Sequence, residues 1–79
     1  MRKLKFKIGD YVKIVDQDAL EWIAAGIYGK INTKIFKIVG VDESEHYLLS
    51  DGKKEMDWFP VYQLELASDL EVSVDKYNL

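Results

Sequence analysis

The apolar residues of this chain alternate in short runs, and each run is cut by glycine, proline or a charged cluster before it can extend. In "LKFKIGDYVKI" Leu4, Phe6 and Ile8 alternate with Lys5 and Lys7, and after Gly9-Asp10 the period resumes with Val12 and Ile14. A period of two sends successive side chains to opposite sides of an extended backbone. The segment therefore reads as strand with one wet face, with a turn or bulge at Gly9-Asp10.

The period then changes. Asp18 followed by Glu21 has the spacing of a capping box, the residues from Ala19 to Ala25 favour helix, and Gly26 is a natural stop. One or two helical turns inside a long loop are expected, with Leu20 and Ile23 sealing the core and Trp22 pointing elsewhere. "KINTKIFKIVGV" returns to β-branched and aromatic residues and reads as a central strand. "DESEH" is a charged turn, "YLLS" a strand, "DGKK" a hairpin turn, "EMDWF" a strand ending at Pro60, "PVYQL" a tight helical turn and "LEL" a last strand. In "ASDLEVSVDKYNL" Leu70, Val72 and Val74 alternate with polar residues, so the tail reads as a sixth strand or a frayed end, the ordered strand being preferred.

With 79 residues there is room for one domain and a modest core. A composition 48% hydrophobic and 32% charged, without low-complexity tracts, argues against wholesale disorder. There is no cysteine, hence no disulfide framework and no thiolate metal site. The start "MRKLKFKIGD" lacks the apolar core of a signal peptide, and no run is long enough to span a bilayer, so a cytoplasmic protein is expected.

Four or five short antiparallel strands with a long first loop and a helical turn before the last strand predict a small, strongly bent barrel. "FKIGDYVKIV", the loop ending "YGKI", the "DG" turn and "WFPVYQLEL" resemble the order of signals in SH3-like barrels, which include KOW-type modules and many short proteins of bacteria and their phages. The resemblance covers about residues 4–66. It implies a mainly β, SH3-like antiparallel barrel of about five strands over residues 1–66, with a short helix in the first long loop and residues 67–79 as a tail. It implies architecture, not activity. The strand that opens signalling SH3 domains ahead of the Gly-Asp turn is absent, so polyproline recognition is not implied.

Catalysis is not expected, since neither a glycine-rich phosphate loop nor a paired histidine and nucleophile is legible. His46, with Asp42, Glu43 and Glu45 close by, offers metal-ligand chemistry, but the spacing matches no EF-hand loop and a charged hairpin tip is the expected role. No metal or cofactor is expected.

Two binding classes follow. Alternation sends Trp58 and Phe59 to opposite sides, so one fills the core and the other is left outside, near Tyr62. Trp58, Tyr62 and Trp22, rimmed by Asp57 and Glu55, are the expected anchors for a protein partner. Size and the SH3-like resemblance extend this to a phage or mobile-element protein that blocks a host protein, as anti-CRISPR-like inhibitors do. The alternative is a nucleic-acid- or ribosome-associated barrel in which Lys3, Lys5, Lys7 and Lys13 contact phosphates. A net charge of −3 counts against it.

Overall fold

The computed structural model describes residues 3–77. It contains strands β1 (Tyr11–Ile14), β2 (Phe36–Val41), β3 (His46–Ser50), β4 (Glu55–Pro60) and β5 (Leu64–Leu66), and helices α1 (Gln17–Ala24) and α2 (Asp69–Tyr77). All strand pairings are antiparallel, in the order β4-β3-β2-β1-β5, so β4 and β5 form the edges of one five-stranded sheet. A 3₁₀ turn, Val61–Gln63, joins those two edges. The chain is therefore mainly β, with the expected strands and a short helix in the first long loop. Among the described residues no helix is long and apolar enough to cross a membrane.

One side of the sheet carries the core of Phe6, Val12, Ile14, Phe36, Ile38, Tyr47, Leu49, Phe59 and Leu64, with Ala19 from α1. Two irregularities decide which residues reach it. In β2 the step from Ile38 to Gly40 spans a single step on β3, leaving Val39 as the extra residue. In β4 the step from Glu55 to Trp58 faces only two residues' advance on β3. A bulge of this kind reverses the alternation beyond it. Met56 and Phe59 consequently both pack on the core side, while Glu55 and Trp58 stand outside. Phe59 is thus the core aromatic and Trp58 the outer one, and Met56 does not share the side of Trp58.

The N-terminal run departs from expectation. Only Phe6 of the set Leu4, Phe6 and Ile8 is buried; Leu4 and Ile8 are exposed, and among the described residues no strand forms before Tyr11. Side chains, not a ladder, satisfy its amides. Lys5 N donates to Glu45 Oε2 (2.9 Å), Phe6 N to Tyr47 Oη (3.1 Å) and Lys7 N to Asp10 Oδ2 (3.1 Å). Gly9, at φ 100°, makes the turn that only glycine adopts readily.

Helix α1 begins two residues earlier than the capping-box spacing predicts. Asp16, extended at ψ 128°, is the N-cap and its Oδ2 accepts from Ala19 N at 3.1 Å, which places Asp18 inside the first turn. The far end is a Schellman motif, with Gly26 N donating to Ile23 O and Ile27 N to Trp22 O. With the start shifted, Ala19 and Ile23 face the core and Leu20 is exposed, which corrects the expected Leu20–Ile23 pair.

The tail is helix, not a sixth strand. Ser68 Oγ accepts from Glu71 N and Glu71 Oε1 accepts from Ser68 N, both at 3.1 Å, a reciprocal capping box that starts α2. Arg2 and the side chain of Val74 lie outside the described residues.

Candidate functional site

The side chains that the core leaves over are the candidates for binding. Phe59 is 1% exposed, whereas Trp58 is 44%, Trp22 41% and Tyr62 73% exposed. Each occupies a different element, and the backbone explains each position.

Trp58 lies on the outer side of β4, opposite Leu48 of β3, which is itself opposite Gly40 of β2. A Cβ at position 40 would stand 3.2 Å from Trp58 Cη2 and 3.3 Å from Leu48 Cβ. The missing side chain of Gly40 lets the indole lie across the sheet. A half-covered indole held in this way presents a rigid apolar surface at small entropic cost to a partner.

Asp57, beside it, is committed at both oxygens: Oδ1 accepts from Trp58 N (2.8 Å) and Oδ2 from Tyr28 Oη (3.4 Å). Burial first, and then the Asp57 charge, raise the Tyr28 hydroxyl above the ordinary tyrosine pKa, so it remains a donor. The Tyr28 ring meets Phe59 edge-on at 5.8 Å, which ties the long loop to β4. Glu55 stands exposed at the start of β4, opposite Ser50.

Tyr62 projects from the 3₁₀ turn, and Trp22 from α1. Two bonds join these elements: Gln63 Nε2 donates to Asp16 Oδ2 (3.1 Å) and Val15 N to Gln63 O (2.9 Å). Asp16 therefore caps the helix and docks the turn with one carboxylate oxygen. Gln63 is buried, and its Oε1 has no donor among the described residues.

The structure thus groups the expected residues in two sets. Trp58, Asp57 and Glu55 lie along β4, while Tyr62 and Trp22 sit on joined elements at the α1–turn seam. Among the described residues the ring pairs are Phe6–Tyr47 and Tyr28–Phe59, so no ring contact links Trp22, Trp58 and Tyr62. Asp16, Gln63 and Gly40, which hold these aromatics in place, carried no sequence signal beyond ordinary turn and strand composition.

The lysines of the nucleic-acid alternative are dispersed. Lys13 Nζ lies 3.0 Å from Glu71 Oε2 and 3.6 Å from Glu65 Oε1, and the hydrogen bond and charge of Glu71 raise its pKa further. Lys5 Nζ sits over the Phe6 ring at 5.4 Å, while Lys3 and Lys7 are exposed. A shallow recess lined by Leu4, Lys5, Phe6, Lys7 and Asp10 brings two of the four together.

At the β2–β3 turn the carboxylates have structural partners. Asp42 Oδ1 accepts from His46 N (2.8 Å) and Ser44 N (3.0 Å), and the bond from the His46 amide is the main cause that lowers its pKa. His46 Nδ1 stands 3.4 Å from the same oxygen, close enough for attraction but not aligned as a hydrogen bond. Glu45 Oε2 accepts from Tyr47 Oη at 2.7 Å. Among the described residues no group of three or more histidine, aspartate or glutamate side chains is arranged to hold a metal ion.

No known protein family, curated protein or solved structure matches this chain.

Proposed function

We propose that the chain is a small SH3-like barrel that binds a protein rather than catalysing a reaction. In this reading it is a cytoplasmic phage or mobile-element protein that docks on a host protein and inhibits it, as anti-CRISPR-like inhibitors do. The strand order β4-β3-β2-β1-β5, with a 3₁₀ turn leading into the last strand, is consistent with the barrel. The observation that carries the binding role is that a complete core is built from Phe6, Phe36, Tyr47 and Phe59 while Trp22, Trp58 and Tyr62 are left outside it. Exposed large aromatics on a rigid support are the usual anchors of protein interfaces. The pairing of Lys13 with Glu65 and Glu71 counts against the nucleic-acid alternative.

The test is affinity capture from host lysate, with and without nuclease, comparing the native chain with folded Trp58→Ala and Tyr62→Ala variants. A nuclease-resistant partner retained by the native chain and lost by the variants is expected. Capture abolished by nuclease and unaffected by the variants would transfer the function to Lys3, Lys5 and Lys7.

A further inference from the structure

We propose that the α1–turn seam is a docking surface for a cationic, arginine- or lysine-bearing segment of a protein partner. This rests on the protein-binding reading and adds the chemistry of the partner. The premise is a segregation of charge that only the fold makes spatial. Residues 14–29 contain Asp16, Asp18 and Glu21 and no base, and residues 55–75 contain six acids and no base. The exposed Trp22 belongs to the first segment, and Trp58 and Tyr62 to the second. The fold brings the two segments together through Asp16–Gln63, Val15–Gln63 and Tyr28–Asp57.

Helix geometry makes the arrangement specific. Asp18 is one turn before Trp22, so this exposed carboxylate shares the helix face of the exposed indole, and Glu21, three residues after Asp18, is the exposed acid on its other flank. A guanidinium or ammonium stacked on an indole gains from the ring quadrupole, and neighbouring carboxylates add charge-assisted hydrogen bonds. Tyr62, the most exposed of the aromatics considered, stands on the turn that is bonded to the start of this helix. The exposed groups offered by Asp18 and Glu21 are carboxylates, which accept, and donors are what a cationic segment brings. Lys54 reaches the rim, its ammonium set against Gly29, while Lys30 and Lys53 line a separate groove with Asn32, Thr33, Asp51 and Gly52. A net charge of −3 steers a cationic partner toward the molecule, and the seam is where aromatic contact retains it.

The experiment titrates the full chain with a short arginine-rich peptide, its lysine counterpart and a neutral glutamine counterpart, reading tryptophan fluorescence and amide NMR shifts at several salt concentrations. Binding of the cationic peptides alone is expected, with shifts centred on Asp18, Glu21, Trp22 and Tyr62 and affinity falling as salt rises. The exposed double variant Asp18→Asn, Glu21→Gln should fold normally and lose at least about tenfold in affinity, and Trp22→Phe should weaken binding further. Shifts spread over all acids and unchanged in the double variant would mean general charge attraction and would overturn the proposal. Concentration-dependent self-association, with the chain's own lysines as the cation, would overturn it in favour of a second copy. If the peptides fail to bind while captured protein still depends on Trp58 and Tyr62, the protein-binding reading survives and this inference falls.

Discussion

The indole of Trp58 occupies the space above Gly40, 3.2 Å from where any other residue would place its Cβ. Gly40 sits in β2, and in the sheet it belongs to the outer row Gly40–Leu48–Trp58. Replacing it with valine should force the indole off the sheet. We expect a stability loss of about 1–3 kcal/mol from overpacking and a red-shifted Trp58 emission. Emission measured in a Trp22→Phe background isolates Trp58; an unshifted spectrum would show that the ring does not depend on Gly40.

Asp16 and Asp18 differ in role although they differ little as sequence. Asp16→Ala removes both the cap on Ala19 N and the acceptor of Gln63 Nε2, so a loss of about 1–2 kcal/mol is expected. Asp18→Ala, at an exposed position in the first turn, should stay within about 0.5 kcal/mol. Thermal denaturation of the pair settles the assignment, and equal losses would refute it.

Much of the sheet was legible because alternation and turn chemistry act locally. The Gly9, Gly52 and Pro60 signals coincide with the observed turns, Val12 and Ile14 are buried as a period of two requires, and one of the neighbours Trp58 and Phe59 fills the core. What could not be read depends on longer range. The bulges at Val39 and within Glu55–Trp58 follow from how neighbouring strands fit, so Met56 could not be placed from β4 alone. Phe6 is buried while Ile8 is not because Tyr47 and Glu45, some forty residues away, take up the amides of that segment. The Ser68–Glu71 box was a local signal, yet the alternating Leu70, Val72 and Val74 masked it. For the candidate site, the aromatics were legible by type and position; their division between β4 and the α1–turn seam was not, since Asp16–Gln63 joins segments far apart in sequence.

Tyr47 illustrates a buried ring whose polar end holds a loop. Its Oη accepts from Phe6 N and donates to Glu45, and the ring meets Phe6 edge-on at 5.3 Å. Tyr47→Phe leaves the Phe6 amide without its acceptor and should cost about 1–3 kcal/mol. Hydrogen exchange at Phe6 should accelerate more than at Leu49, because the N-terminal segment loosens before the sheet does. Uniform acceleration would instead report global destabilisation alone.

The docking of α2 should depend on pH. Glu71 has its pKa lowered, first by the Ser68 amide and then by Lys13, and Lys13 has its pKa raised, chiefly by Glu71. A carboxylate with a depressed folded pKa stabilises above its unfolded value, ordinarily 4.5, and that contribution is lost as pH falls through the folded value. A lysine with a raised pKa stabilises below its ordinary 10.5 and loses the contribution as pH rises through the folded value. The contact is therefore complete between those limits and weakens at either end. Amide exchange of Val72 against pH should show both edges in the native chain and neither in Glu71→Gln; a flat native profile would mean that the pair does not hold the helix.

The last expectation concerns the two neighbours Trp58 and Phe59, which β4 sends to opposite sides of one sheet. Phe59 is packed against Tyr28 and Tyr47 in the core, so Phe59→Ala should cost about 3–5 kcal/mol, a large share of what so small a domain has. Trp58 is covered on one side only, by Leu48 and Gly40, and Trp58→Ala should cost clearly less. Tyr62, mostly in solvent, should tolerate alanine within about 0.5 kcal/mol. Denaturant unfolding of the three variants ranks them directly. If Trp58→Ala proves as damaging as Phe59→Ala, the outer aromatic is a structural buttress, and its exposed side no longer argues for a partner.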